Sequence, residues 1–300
     1  MEAFKSGFVS VIGRTNVGKS SLINELVGEK IAAVANKVQT TRTAIRGIVN
    51  RPNAQIVFVD TPGIHKPKTK LSDTMVETAF GTIGEVDLVV FVVEADSKEI
   101  GKGDSKILEK IQEAKKKTIL VVNKIDLVSK EELAKVLVLY ADAYSFTAVV
   151  PVSTTKKKGL TELLEEIEQN LKPGPAFYDT EEYTDQTLRQ LAEEMVREKA
   201  LKLLQDEVPH GILVEVQNMK SRKTKDKEFI YDVDVYIYCE RESHKGIIIG
   251  KNGQMLKRIG TYAREDLEKM IGYKINLKLW VKVNSDWMNN ESLVKKFKLQ

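Results

Sequence analysis

An eight-residue stretch near the start of the chain, residues 13–20, has the residue types and spacing that bind phosphate groups. Gly13 and Gly18 let backbone N–H groups turn toward an anion without interference from a Cβ atom. Lys19 supplies a cation for the β- and γ-phosphates of a nucleotide, and the hydroxyl of Ser20 is a ligand for Mg²⁺. The residues expected to contact the nucleotide here are Gly13, Arg14, Thr15, Asn16, Val17, Gly18, Lys19, Ser20 and Ser21.

The elements on either side of this phosphate loop have the order that such a loop requires. Residues 8–12 are an apolar run of strand length, and residues 20–27 have helical periodicity that ends at Gly28. The N-terminus of the helix adds its partial positive charge to the phosphate site. The sequence therefore predicts a strand, a phosphate-binding loop and a helix in direct succession.

Two later segments supply candidates for Mg²⁺ and for the γ-phosphate. The turn Asp60-Thr61-Pro62-Gly63 follows a buried-type strand over 55–59, where a carboxylate holds Mg²⁺ and the Gly63 N–H meets the γ-phosphate. The threonine-rich segment 38–43 offers a second Mg²⁺ ligand, Thr40 or Thr41, of which we assign Thr41. An ordinary exposed loop is the alternative interpretation of this segment.

A further loop has the side chains that distinguish guanine from adenine. The carboxylate of Asp126 only accepts hydrogen bonds, so it pairs with the N1–H and amino donors of guanine and repels N1 of adenine. This residue therefore disfavours an ATPase. A backbone N–H in the segment after the strand 148–152 would donate to guanine O6, and no role is expected for the side chain of Thr155. The residues assigned to the base are Asn123, Lys124, Asp126, Ser153, Thr154 and Thr155.

Composition narrows the class of protein. The chain has 300 residues, of which 30% are charged and 42% hydrophobic, as in a globular protein of one or two domains. The net charge of +4 is too small to indicate a polyanionic partner. Cys239 is the only cysteine, which excludes an internal disulfide and suits a reducing compartment. We expect no signal peptide, because residues 1–8 lead straight into the first strand, and no membrane span, because no apolar run approaches about 20 residues.

The second half of the chain contains another glycine motif, Gly250-Lys251-Asn252-Gly253, of the kind that clamps nucleic-acid backbone. Glycines let phosphates approach the main chain, Lys251 adds charge, and the isoleucines at 247–249 offer an apolar wall for unstacked bases. Residues 241–282 contain 10 lysines and arginines against 4 acidic residues, a local charge of +6. The residues expected to bind RNA are Lys245, Gly246, Ile247, Ile248, Ile249, Gly250, Lys251, Asn252, Gly253 and Gln254.

Around this motif the pattern predicts a helix over 184–205, with Thr184 or Asp185 as its N-cap, and strands over 211–219 and 228–240. A helix to residue 271 and a strand over 274–283 follow the glycine motif. The order helix, strand, strand, helix, G-x-x-G, helix, strand resembles a type II KH domain over residues 183–283.

The ordered motifs of the first half resemble those of the translation-factor-related GTPases and, within them, the Era-like family of bacterial ribosome-assembly GTPases, over residues 5–172. The resemblance implies an α/β P-loop GTPase domain at 1–172, with a mostly parallel sheet and helices on both faces. A linker at 173–182, an α+β type II KH domain at 183–283 and a C-terminal tail at 284–300 complete the expected organisation.

The same resemblance implies hydrolysis of GTP to GDP and phosphate with Mg²⁺, in a cytoplasmic monomer. It further implies binding to single-stranded RNA, namely the 3′ end of 16S ribosomal RNA in the maturing small (30S) subunit, with hydrolysis as a timer for release. Relatives are also peripheral membrane proteins, so contact with the inner membrane is part of the implication. The alternative from another class is a signalling GTPase whose second domain docks a protein or the membrane surface.

Two positions bear on the rate of hydrolysis. In relatives, the asparagine that matches Asn16 helps to coordinate K⁺ beside the phosphates. Ile64 occupies the position of the glutamine that orients the attacking water in many GTPases, so the resemblance implies a slow intrinsic reaction. The residues expected to assist hydrolysis are Asn16, Lys19, Thr41 and Gly63.

Overall fold

The computed structural model describes residues 3–34, 45–64, 69–205, 208–224, 228–285 and 287–290. The predicted Mg²⁺ ligand Thr41, with its neighbour Thr40, lies outside the described residues. Two compact units are present, and the described parts of the first are 3–32, 45–64 and 72–185, whereas 186–290 belongs to the second. Among the described residues, no helix is both long and apolar enough to cross a membrane.

A sheet with seven strands in the described part of the chain forms the centre of the first unit. The strands are β1 (Lys5–Ile12), β2 (Ile45–Arg51), β3 (Ala54–Asp60), β4 (Leu88–Glu94), β5 (Thr118–Asn123), β6 (Ala148–Pro151) and the short β7 (Lys172–Pro173). Their order is β2-β3-β1-β4-β5-β6, with β7 beside the start of β1. All neighbours are parallel except β2 with β3 and β7 with β1. The central strands are nearly continuous apolar runs because both faces of the sheet are covered.

Within the described residues, five helices cover the two faces. They are α1 (Lys19–Val27), α2 (Lys70–Glu85), α3 (Lys102–Ala114), α4 (Lys130–Ala143) and α5 (Leu160–Asn170). Helices α1 and α5 contribute buried side chains to one hydrophobic cluster, and α2, α3 and α4 contribute to the other. With this arrangement the carboxyl ends of the parallel strands meet at one edge of the sheet, where ligands bind in open α/β folds.

The second unit is a three-stranded sheet covered by helices. Its elements are α6 (Leu188–Leu203), β8 (Leu213–Lys223), β9 (Phe229–Cys239), α7 (Glu242–Ile249), α8 (Gln254–Ile271) and β10 (Lys274–Val283). The strand order is β10-β9-β8, with β8 and β9 antiparallel and β9 and β10 parallel. One core cluster joins the three helices to the sheet. Trp287, in the predicted tail, is buried and donates from its indole nitrogen to the Gly211 carbonyl at 3.0 Å.

The start of α6 and the extent of the first unit differ from the sequence-based expectation. Helix α6 has Thr187 as its N-cap, in a capping box with Gln190, so neither Thr184 nor Asp185 caps it. Thr184 instead donates from its hydroxyl to the carbonyl of Arg46 at 2.8 Å, and Asp185 pairs with the guanidinium of Arg46 at 2.7 Å. Residues through Asp185 therefore pack with the first unit, three residues beyond the expected linker.

The segment after β7, residues 174–185, lies along β2 at the end of the sheet. The backbone N–H of Ile48 donates to the Tyr183 carbonyl at 2.9 Å, and Gly47 forms a β-bridge with Thr184. In the neighbouring strand, the fully buried side chain of Gln55 accepts from the backbone N–H of Phe177 at 2.7 Å. The segment thus supplies hydrogen bonds to backbone groups that an uncovered edge would present to solvent.

Candidate functional site

The phosphate loop connects β1 to α1, as the sequence predicts, and its shape depends on a glycine. Gly18 has a left-handed φ of 98°, and a Cβ atom there would lie 2.4 Å from the side-chain nitrogen of Asn123. No larger residue fits such a position without displacement. Helix α1 starts at the next residue, so the N-terminus of this helix lies directly after the loop, where it favours an anion.

Lys19 is buried at the base of this loop. Its ammonium group donates to the carbonyl of Gly13 at 3.2 Å and to the carbonyl of Arg14 at 2.9 Å. Burial lowers the pKa of Lys19 to about 8, and the Asp60 carboxylate opposes that shift. An anion such as a phosphate would favour the charged form, which matches the role predicted for this lysine.

Ser20 and Asp60 come together as predicted for a Mg²⁺ site. The hydroxyl of Ser20 donates to the carboxylate of Asp60 at 2.8 Å, and Asp60 is fully buried at the end of β3. A hydroxyl and a carboxylate are hard oxygen donors, which Mg²⁺ prefers, and they fit an ion that takes its other ligands from phosphates and water. The described residues contain no group of three or more His, Cys, Asp or Glu side chains that could hold a metal alone.

The turn after β3 lies against the phosphate loop. Thr61 donates from its hydroxyl to the carbonyl of Val11 at 2.8 Å, and the N–H of Ile64 donates to the carbonyl of Gly13 at 3.1 Å. Pro62 and Gly63 are buried between these contacts, and a Cβ atom on Gly63 would lie 2.8 Å from the Cα of Thr15. The side chain of Ile64 is apolar and buried, so it cannot orient a water molecule by hydrogen bonding.

Asn123 joins the phosphate loop to the base loop, residues 123–126. Its side-chain amide donates to the carbonyl of Val17 at 2.9 Å, and its oxygen accepts from the Thr154 hydroxyl at 3.0 Å. The ammonium group of Lys124 donates to the carbonyl of Asn16 at 2.8 Å and forms an ion pair with Glu94. These contacts fix the relative positions of the two loops.

Asp126 is exposed at the mouth of the site, and two hydroxyl groups hold its carboxylate. Ser153, which is buried, donates to one oxygen, and Thr155 donates to the other at 3.3 Å. These hydrogen bonds, that from Ser153 above all, lower the pKa of Asp126 and keep it an acceptor. The expectation that the Thr155 side chain has no role therefore needs correction, because a threonine hydroxyl reaches the carboxylate from this position.

Two acidic residues of this region escape motif-based prediction. Glu94 ends β4 at the carboxyl edge of the sheet, a position that itself indicates a site. Asp104 is fully buried on α3, where it shares a helical stripe with Ile107, Leu108 and Ile111. A carboxylate at an apolar position of an amphipathic helix was the signal that could have identified it.

The G-x-x-G loop, residues 250–253, joins α7 to α8 in the second unit. Its two glycines are not equivalent. Gly250 has φ 71°, and a Cβ atom there would lie 2.7 Å from the Cβ of Met255, whereas Gly253, at φ 75°, has open space around it. Lys251 and Asn252 are exposed between them. Gly250 is thus needed for packing, and Gly253 leaves the main chain accessible.

The isoleucines before this loop correct one prediction. Ile247 is 49% exposed and Ile249 is partly buried, but Ile248 is fully buried in the core of the second unit. Because α7 is a helix, three consecutive side chains point in different directions and cannot form one wall. Lys245, Gly246 and Gln254 are at least partly exposed beside the loop.

Comparison with known proteins finds relatives of both units. The family model described as a 50S ribosome-binding GTPase matches residues 8–124, and that of the KH domain matches residues 207–288. The chain is 50% identical over 294 residues to the GTPase Era of Caldanaerobacter subterraneus subsp. tengcongensis, covering 98% of this chain and 97% of that protein. The chain belongs to the Era family of GTPases. The GTPase Era of Clostridioides difficile is likewise 50% identical, over 295 residues and 98% of each chain.

Solved Era structures have the same fold. An Era structure in complex with MgGDPNP and nucleotides 1506–1542 of 16S ribosomal RNA is 38% identical, with a TM-score of 0.91 over 98% of each chain. A single-residue variant of Aquifex aeolicus Era, bound to GDP·AlF4⁻, is 37% identical with a TM-score of 0.91, over 98% of this chain and 99% of that one. Membership in the Era family makes this chain a GTPase and confirms the predicted fold class.

Proposed function

We propose that this protein binds GTP with Mg²⁺ at the loops of its first unit, hydrolyses it, and binds the 3′ end of 16S ribosomal RNA through its KH unit. The observation that carries the proposal is the convergence of four loops at the carboxyl edge of one sheet, with Asp126 held as an acceptor by Ser153 and Thr155. An Era relative in complex with MgGDPNP and this RNA segment supports the assignment of both ligands.

At the phosphate end, Lys19 pairs with the β- and γ-phosphates, and the helix N-terminus after Gly18 donates backbone N–H groups. Ser20 and Asp60 hold the Mg²⁺ ion, which neutralises charge on the phosphate oxygens when it is bound. Thr41 remains our proposal for a further Mg²⁺ ligand. Since Ile64 cannot orient water, hydrolysis is slow, and we assign K⁺ coordination to Asn16 as a compensating device.

In the KH unit, the accessible main chain at Gly253 receives the phosphodiester backbone of the RNA. Lys251 contributes charge beside it, and Ile247 and Ile249 offer apolar surface to unstacked bases. We propose that this contact brings the protein to the small ribosomal subunit during its assembly, in the cytoplasm. Hydrolysis of GTP then times its release.

The test is a titration of full-length variants with a labelled RNA copy of the 16S 3′ end and with labelled GTP. Gly253→Asp places a negative charge against the phosphodiester and should weaken RNA binding steeply. For every phosphate that the variant no longer neutralises, the log–log salt dependence should flatten by about 0.7. Gly253→Asn is the matched control, because asparagine has the same shape and tolerates the left-handed backbone but carries no charge.

GTP binding by Gly253→Asp should equal that of the parent, whereas Lys19→Ala should lose GTP binding. A folded Gly253→Asp variant that binds RNA as tightly as the parent would contradict the RNA site and favour a second domain that docks a protein. Anionic vesicles form a parallel arm, since salt-sensitive binding to vesicles but not to RNA would support the peripheral membrane role instead.

A further inference from the structure

An ion pair joins the phosphate loop to α3, and its partner on α3, Asp104, lies outside the predicted nucleotide contacts. The guanidinium Nε of Arg14 lies 3.0 Å from the carboxylate of Asp104. Asp104 is fully buried, and the side chain of Arg14 is 35% exposed. The stem of Arg14 also packs on α3, where a Cβ atom on Gly103 would lie 3.2 Å from it. The second residue of the phosphate loop is therefore held by its side chain to a neighbouring helix.

The carboxylate of Asp104 has a second buried partner besides Arg14. The hydroxyl of Tyr140, on α4 and fully buried, donates to the same carboxylate at 3.0 Å. Burial raises the pKa of Asp104, and Arg14 and Tyr140 oppose that shift. Replacement of a buried ion pair by apolar side chains of similar volume is often neutral or stabilising, so stability alone does not explain a carboxylate on the apolar stripe of α3.

The backbone of Arg14 is part of the phosphate site. Its carbonyl accepts from the ammonium group of Lys19 at 2.9 Å. Its guanidinium also lies 4.0 Å from Glu94, which pairs with Lys124 of the base loop. A side chain fixed at its far end restricts the backbone to which it is attached, and here that backbone places Lys19.

We infer that Asp104 is a positioning residue for nucleotide binding, which acts by holding Arg14 and thereby the backbone of the phosphate loop. Without Asp104 the loop samples other conformations, and apparent affinity falls in proportion to the fraction of molecules that remain competent to bind. GDP and GTP should be affected alike, because the loop encloses phosphates that both nucleotides carry. The inference rests on the proposed nucleotide site.

The experiment measures GDP affinity and GTP hydrolysis by the full-length protein carrying Asp104→Asn, Arg14→Met or both changes. We expect each single change to weaken GDP binding about tenfold, and Asp104→Asn to raise KM for GTP about tenfold with kcat at saturation close to that of the parent. The double variant should bind no more weakly than the worse single variant, because both changes break one interaction. Glu113→Gln is the matched control, since it removes an exposed carboxylate from the same helix.

Asp104→Leu combined with Tyr140→Phe separates positioning from stability. This pair removes the buried carboxylate together with the buried hydroxyl, and the remaining Arg14 side chain is 35% exposed, so the nucleotide-free protein should melt at about the temperature of the parent while GDP binding still falls. Parental affinity in folded Asp104→Asn, or effects of the two single changes that multiply to about a hundredfold, would overturn the inference. A parent protein that bound no GDP would instead refute the proposed function, and the inference with it.

Discussion

The buried hydroxyl of Ser153 donates a hydrogen bond to the exposed carboxylate of Asp126. The donor and the acceptor come from loops after adjacent parallel strands, β6 and β5, so the sheet itself fixes their spacing. Because the hydrogen bond favours the ionised form, the carboxylate presents only acceptors to a base. We propose this geometry as the physical basis for discrimination between guanine and other bases.

Asp126→Asn should therefore change the nucleotide preference from GTP toward xanthosine triphosphate, because the amide adds donors and removes an acceptor. Competition between the two nucleotides for the purified variant measures the change. Ser153→Ala is the companion variant, which should weaken GTP binding about tenfold, through loss of one hydrogen bond to a charged group, without a switch in preference. Retention of GTP preference by Asp126→Asn would show that another residue recognises the base.

Hydrolysis should be faster in K⁺ than in Na⁺, and Asn16→Ala should remove the difference. Asn16 is exposed in the phosphate loop at φ 67°, and alanine at that angle also strains the backbone. Asn16→Gly separates the two effects, since glycine accepts the angle but lacks the amide oxygen. Steady-state phosphate release in the two salts provides the measurement, and equal rates for the parent would exclude ion-assisted hydrolysis.

Stability of the second unit should depend on Glu193 between pH 4.5 and 7. Burial raises the pKa of Glu193 to about 7, although the N–H of Val216 donates to it at 2.7 Å and Arg189 is nearby. The folded state therefore binds this proton more strongly than the unfolded state. The resulting stabilisation, on the order of 2 kcal/mol, is complete below pH 4.5 and lost as pH rises through 7.

Glu193→Gln should reduce that loss, because the amide keeps an acceptor for Val216 and does not titrate. Denaturant unfolding of parent and variant at pH 5 and pH 8 measures the difference between the two curves. Identical pH dependence in both proteins would mean that Glu193 titrates alike in the folded and unfolded states.

Gln55→Met should release the segment that follows β7. The Gln55 amide makes four hydrogen bonds, to the side chain of Asn50 and to three backbone groups of Phe177 and Tyr178. An apolar side chain of similar length leaves those backbone groups without the amide, at a cost of about 1–3 kcal/mol for each buried group left unsatisfied. Limited proteolysis should then cleave residues 174–185 faster than in the parent. An unchanged cleavage rate would show that the hydrogen bonds of Gln55 do not hold this segment in place.

Sequence patterns predicted the elements whose residues interact locally. The phosphate loop, the turn at Asp60 and the base loop each lie within a few residues of a strand end, so motif and periodicity were sufficient. Partners distant in sequence were not predictable in this way. Asp104 meets Arg14 across 90 positions, and Gln55 binds a segment more than 120 residues later. The predicted apolar wall at residues 247–249 was wrong for another reason, because consecutive side chains of a helix cannot share one face and Ile248 is buried.

The coverage of β2 by Tyr183 and Thr184 has a consequence for anyone who divides this protein into halves. A fragment that stops at residue 172, the predicted end of the GTPase domain, would leave β2 without the backbone contacts that Tyr183 and Thr184 make with it. Such a strand recruits another copy of itself, and poor solubility would then be mistaken for a failure of the GTPase domain to fold. A fragment that ends at residue 185 keeps the residues that cover β2 and is only thirteen residues longer.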